Sequence, residues 1–278
     1  MSLQFVSTAR LAEQLSAPDL VVVDASWYLP TQNRDAKAEY AAGHIPGAVH
    51  FDIDAISDRS SSLPHMLPSP EEFARHMSRL GIGDGMRIVV YDGAGLFSAP
   101  RVAWTLQVFG ARDVAILAGG APQWRSEGRP WTDDPVQRRP ATFTARLDHS
   151  AVATLDDVAK AIERGTAQVV DARPADRFRG EAPEPRPGVR AGHIPGSANV
   201  PFTRLLVDGK LRPPADIEAA FQEAGVDLSK PVITSCGSGV SAAILAAALD
   251  SVGRPAKAIY DGSWAEWGSS DKPVATGD

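Results

Sequence analysis

Cys236 is the only cysteine in this 278-residue chain. It opens the run Cys236-Gly237-Ser238-Gly239-Val240-Ser241, which carries no charged residue. Residues 231–234 before it read as an apolar strand, and residues 242–249 after it read as a helix. A glycine-rich turn between strand and helix lets successive backbone N–H groups converge on an anion. The start of the helix adds positive potential. Both favour thiolate over thiol, so the sequence predicts a nucleophilic Cys236 with a depressed pKa, activated by backbone dipoles without a neighbouring Lys or Arg. One cysteine excludes an internal disulfide and a cysteine-cluster metal site. A free thiol fits a reducing compartment. The six histidines lack zinc spacing. Neither a dinucleotide fingerprint nor a phosphate loop is present. No metal and no cofactor is therefore expected.

The elements around this loop come from an internal repeat. "VVVDASWY" at residues 21–28 is echoed by "QVVDARPA" at 168–175, and "GHIPGAVHFD" from Gly43 by "GHIPGSANVP" from Gly192. "YDGAGLFSAP" from Tyr91 aligns without gaps on "TSCGSGVSAA" from Thr234, which sets Gly93 opposite Cys236. The same interval separates Gly110 from Gly253 and Trp124 from Trp267. Short apolar runs at 21–24, 88–91 and 115–117, and again at 169–171, 232–234 and 258–260, read as buried strands. Helices are expected between them, at 71–80 and over "TLDDVAKAIERG", where Thr154 and Asp157 resemble a capping box and Gly165 a C-cap. Strand–helix alternation predicts an α/β fold of two tandem domains, each a mostly parallel sheet flanked by helices. The expected boundaries are 1–140 and 151–278, with a Pro-, Arg- and Asp-rich linker at about 126–150. Asp24 and Asp171 end strands and are expected to fix local loops.

Composition narrows the partners. The 28 basic and 34 acidic residues leave a formal charge of −6, which argues against nucleic acid. The longest apolar stretch, 242–249, is too short for a bilayer, and the N-terminus reads as no secretory signal. No membrane association is expected, and the default location is the cytoplasm.

Several motifs carry a resemblance: "DASWYLP" from Asp24, "GHIPGAVHFDID" from Gly43, "PHMLP" from Pro64, "LFSAPR" from Leu96, "RFRGEAPEPRPG" from Arg177, "CGSGVS" from Cys236 and "YDGSWAEW" from Tyr260. With them the chain resembles the two-domain rhodanese-like sulfurtransferases, and within these the 3-mercaptopyruvate sulfurtransferases, from about Leu3 to Trp267. The resemblance implies a non-catalytic N-terminal domain and a catalytic C-terminal one. Thiosulfate-preferring members usually carry basic residues directly after the cysteine. The mercaptopyruvate enzymes typically have Gly-Ser-Gly-Val-Thr there, and this chain differs only in Ser241. A dianion such as thiosulfate is better held by added cations. The family's two substrate-binding arginines match Arg177 and Arg186, whose planar forks suit a carboxylate. Gly237, Gly239, Val240 and Ser241 then belong to the substrate-binding loop.

The reaction so implied is attack of the Cys236 thiolate on the sulfur of 3-mercaptopyruvate, release of pyruvate, and a persulfide discharged to cyanide or to a thiol such as reduced thioredoxin. Ser238 could hydrogen-bond the sulfur or relay a proton. An Asp and a His of the N-terminal domain are also implied, matched here to Asp35 and His44. Because "GHIPG" recurs with His193, a turn role for His44 stands beside a catalytic one. Three other readings stay open: a thiosulfate:cyanide sulfurtransferase; a phosphatase, which would need a longer loop ending in Arg; and a non-catalytic sulfur carrier.

Overall fold

The computed structural model describes residues 3–277. The chain divides into two compact units. The first runs to Arg59, resumes over Leu67–Asp148 and includes Asp208–Lys210; the second comprises Ser60–Met66, His149–Val207 and the described chain from Leu211 onward.

In the first unit the order is β1 (Gln4–Val6), α1 (Thr8–Gln14), β2 (Leu20–Asp24), α2 (Ala36–Ala42), β3 (Val49–His50), α3 (Pro70–Arg79), β4 (Arg87–Tyr91), α4 (Ala99–Val108), β5 (Asp113–Leu117) and α5 (Gly120–Ser126). Its sheet has the order β1-β5-β4-β2-β3, parallel throughout. The second unit contains β6 (Val152–Ala153), α6 (Leu155–Arg164), β7 (Gln168–Asp171), α7 (Ala175–Arg179), β8 (Ala198–Asn199), a hairpin of β9 (Leu206–Val207) and β10 (Lys210–Leu211) whose residues Asp208–Lys210 group with the first unit, α8 (Pro214–Glu223), β11 (Val232–Ser235), α9 (Ala242–Ser251), β12 (Ala258–Tyr260) and α10 (Ser263–Trp267). Its sheet, β6-β12-β11-β7-β8, repeats the first strand for strand and is also parallel.

The residues explain the layers. Every residue of β2 and β11 is buried, as parallel strands covered on both faces require. Helix α9, Ala-Ala-Ile-Leu-Ala-Ala-Ala-Leu-Asp-Ser, is apolar nearly all round and accordingly buried along most of its length. Helix α6 starts on a reciprocal Thr154–Asp157 capping box and stops at Gly165, whose φ of 62° a side chain would strain. The duplication reaches single hydrogen bonds. Trp124 Nε1 donates to the Pro130 carbonyl at 2.7 Å, and Trp267 Nε1 to the Pro273 carbonyl at 2.8 Å.

The segment expected to be a linker is not a free tether. It lies against the first unit as extended chain. The Asp84 carboxylate accepts from the Thr144 N–H and hydroxyl at 2.8 and 2.6 Å, and the Asp84 N–H donates to the Thr142 carbonyl. Phe143 packs edge-on against Phe73, with ring centroids 5.5 Å apart. Those polar pairs and the packing of Phe143, with Trp131 against the first unit's core, outweigh the flexibility that its prolines and charges suggest.

Candidate active site

The Cys236 loop joins the end of β11 to the start of α9. Cys236 is a free thiol and only 2% exposed. Its main chain is gripped from α10. The carbonyls of Cys236 and Gly237 accept from the N–H groups of Trp264 and Ala265, both at 2.9 Å, and the Cys236 N–H donates to Ser263 Oγ at 3.2 Å. Gly239 has φ +80°, the left-handed conformation that a glycine adopts without steric cost. The N–H groups of Ser238, Val240, Ser241 and Ala242 have no protein acceptor among the described residues. Consecutive unpaired N–H groups at a loop leading into a helix suit a negatively charged sulfur.

The matching loop of the first unit shows what such a donor set does when it is filled from within. Asp92, where the second unit has Ser235, accepts through Oδ1 from the Ala94 N–H at 2.9 Å. Through Oδ2 it accepts from Phe97, Ser98 and Ala99 at 2.7, 2.9 and 2.8 Å. A Cβ on Gly93, the counterpart of Cys236, would stand 2.1 Å from the Tyr28 hydroxyl. The first loop holds its own carboxylate and has no space for a thiol.

In the second unit a histidine faces Ser238. His65 Nδ1 lies 3.0 Å from Ser238 Oγ and 3.3 Å from the Ser238 carbonyl, and both residues are buried. An imidazole paired with a hydroxyl two residues from a nucleophile can move a proton to or from the reacting sulfur.

A cationic group also stands beside the loop. Arg177 Nη2 stands 3.4 Å from where a Cβ on Gly237 would be, so the bare glycine admits a guanidinium beside the loop. Arg177 is bonded through Nε and Nη2 to Glu184. Glu184, whose side chain is 4% exposed, also accepts from Arg173 Nη1 at 2.8 Å. Arg173, 1% exposed, is doubly bonded to Asp171, donates to the Gly192 carbonyl at 2.9 Å, and lies 4.5 Å over the Trp264 ring. Burial works against the Arg173 charge, but Asp171 and then Glu184 outweigh it and hold its pKa above the ordinary value. The result is a ladder, Asp171–Arg173–Glu184–Arg177, running from the sheet to the loop. No group of His, Cys, Asp and Glu among the described residues could hold a metal ion.

The rhodanese-like domain matches this sequence twice, over residues 7–127 and 154–270. The chain belongs to the rhodanese-like family. A 3-mercaptopyruvate sulfurtransferase of Escherichia coli is 46% identical over 272 residues, covering 97% of each chain. A thiosulfate sulfurtransferase of Cricetulus griseus is 44% identical over 270 residues, covering 94% of this chain and 91% of the relative. The crystal structure of SseA from Escherichia coli, a 3-mercaptopyruvate sulfotransferase, superposes with a TM-score of 0.87 at 43% identity, covering 95% of this chain and 99% of the other.

This rhodanese-like chain brings some of the sequence-derived candidates together and separates others. Cys236, Gly237, Ser238, Gly239, Val240 and Ser241 form one loop with Arg177 beside it. Arg186 is half-buried on the Pro-rich loop after α7, two residues past Glu184. His44 and Asp35 belong to the first unit, where both have other work. Asp35 caps α2, its Oδ1 accepting from the Ala38 N–H at 2.9 Å. His44 is buried, with Nδ1 2.9 Å from the Tyr40 carbonyl, its ring stacked on Tyr40, and its main chain bridged to Thr132. His193 repeats this against the Phe178 carbonyl, the Phe178 ring and Ala275. A histidine used identically in both halves braces a turn of the fold. The histidine beside Ser238 is His65, which stands in the quoted "PHMLP" motif.

Proposed function

We propose that this rhodanese-like chain is a 3-mercaptopyruvate sulfurtransferase whose second unit carries the reaction. The observation that carries this reading is the uncharged Cys236 loop, in which the N–H groups of Ser238, Val240, Ser241 and Ala242 have no protein acceptor among the described residues and Arg177 stands beside Gly237. Arg177 and Arg186 grip the carboxylate. The Cys236 thiolate attacks the substrate sulfur, and the electrons of the breaking C–S bond pass to carbon as the enolate of pyruvate. The proton on the transferred sulfur passes through Ser238 and His65 to that enolate, giving pyruvate and a Cys236 persulfide anion in the ring of N–H donors. An acceptor thiol, such as that of reduced thioredoxin, or cyanide then attacks the outer sulfur and regenerates the thiolate. The first unit takes no part in the chemistry, because Gly93 has no sulfur and Asp92 fills the donors. No described helix is long and apolar enough to cross a membrane. The free thiol suits a reducing, cytoplasmic setting.

Thiosulfate is the second reading. It is favoured by the closeness of Arg177 to Gly237, which sets one cation near an incoming anion. The test is pyruvate release from 3-mercaptopyruvate with a thiol acceptor. Stoichiometric release that disappears in Cys236→Ser supports the proposal. No release from the wild type, or release that survives the substitution, rejects it.

A further inference from the structure

Ser263, the first residue of α10, is fully buried and has φ +50°. A side-chain-bearing residue is strained there, and such strain persists only where the surrounding structure enforces it, a situation that clusters at active sites. Its counterpart in the first unit is Gly120, at φ +53°. Two copies of one fold thus share a backbone conformation, and only the second places a side chain on it.

What Ser263 gains over glycine is one hydroxyl. Its Oγ donates to the Tyr260 carbonyl at 2.8 Å and accepts from the Cys236 N–H at 3.2 Å. The single hydroxyl hydrogen is committed to Tyr260, so a lone pair is fixed toward Cys236. The two loops also differ in register. In the first unit the Ala121 N–H meets the Asp92 carbonyl, whereas the equivalent Trp264 N–H meets the carbonyl of Cys236, one residue further along. The Gly93 N–H turns instead to Ser26 Oγ, at 2.9 Å.

We infer that Ser263 is a positioning residue for sulfur transfer: its hydroxyl bridge from Tyr260 to the Cys236 N–H fixes the main chain at the nucleophile and so aims Sγ into the ring of N–H donors. This rests on the reading of Cys236 as the sulfur carrier. The bridge acts on the thiol and leaves the Arg177 and Arg186 grip on the carboxylate untouched.

Ser263→Gly removes the hydroxyl together with the strain, and Ser263→Ala removes the hydroxyl alone. In Ser263→Gly the relieved strain and the lost hydrogen bond oppose each other, so the thermal midpoint stays within about 3 °C of wild type. kcat falls about tenfold, KM for 3-mercaptopyruvate stays within about twofold, and iodoacetamide alkylation at neutral pH slows by a similar factor. Cys236 is the sole cysteine, so alkylation reports on it alone. Ser263→Ala shows the same kinetic loss with a lower midpoint. Wild-type kcat and alkylation in Ser263→Gly would overturn the inference. So would a variant that fails to fold, or whose midpoint falls as far as that of Ser263→Ala, because the hydroxyl would then be structural. If the wild type releases no pyruvate, the substrate reading fails, while the alkylation comparison still decides whether Ser263 sets the thiol.

Discussion

Replacing Glu184 with Gln tests the charge ladder that brings Arg177 to the loop. Glu184 accepts from Arg173 Nη1 at 2.8 Å and holds Arg177 through both Nε and Nη2. Removing one partner of a buried pair costs about 3–5 kcal/mol when it strands a charge. Here Arg173 keeps Asp171 on Nε and Nη2 and the Gly192 carbonyl on Nη2, and an amide oxygen can still accept from Nη1. The cost shrinks to about 1–2 kcal/mol, because a hydrogen bond to Arg173 is weakened rather than lost. For units of this size that lowers the thermal midpoint by roughly 3–8 °C. The kinetic effect is larger. The new amide NH2 faces the Arg177 guanidinium, donor against donor, so Arg177 leaves its place beside Gly237. A charge-assisted contact to a carboxylate is worth about 1.5–3 kcal/mol, so kcat/KM for 3-mercaptopyruvate falls about tenfold to a hundredfold, mainly through KM. Pyruvate release against substrate concentration measures this, with a thermal melt alongside. A lowered midpoint with unchanged KM would refute the reasoning, because the ladder would then stabilise the fold without orienting the substrate's cation.

Three further outcomes follow from the same geometry. His65→Ala, which strips Ser238 Oγ of its 3.0 Å partner, lowers kcat about a hundredfold with little change in KM; a kcat like that of the wild type would remove His65 from the proton path. Gly93→Cys in a Cys236→Ser background gives no persulfide and negligible alkylation, since Tyr28 Oη occupies the space and Asp92 the donors; rapid labelling would contradict this. Burial, opposed by hydrogen bonds from Ser26, raises the Asp24 pKa, so the folded chain holds that proton to higher pH than the unfolded chain does. Ionising Asp24 therefore costs stability as pH rises from about 3.9, the unfolded value, through the raised folded one. Asp24→Asn keeps an oxygen for the Ser26 N–H and raises the thermal midpoint more at pH 8 than at pH 4; an equal shift at both would refute the assignment.

The runs of β2, β4, β7 and β11, built on Val and Ile, were legible because central parallel strands are buried on both faces and read as short apolar segments. The edge strands β3, β6 and β8, of two residues each, are too short to form a pattern. They exist because a neighbouring strand offers them a ladder. The Cys236 loop was legible from its glycines and the helix that follows. His65 was not, because its partner Ser238 is 173 residues away and a lone histidine among prolines has no period to betray it. His44 drew attention through "GHIPG", yet repetition in both halves is the mark of a brace. Asp171, at a strand end where a loop anchor is expected, also carries Arg173. That pair was hidden because Glu184, which extends it to Arg177, sits in a loop whose register only the fold decides.

On the proposed reading, a bare cysteine loop flanked by Arg177 selects a carboxylate-bearing sulfur donor over thiosulfate. Measuring kcat/KM for 3-mercaptopyruvate and for thiosulfate on one preparation, with Cys236→Ser as the control, tests it most directly. The expected result is a preference for 3-mercaptopyruvate of at least about tenfold, with turnover of both donors abolished in the control. Equal or better use of thiosulfate would contradict it.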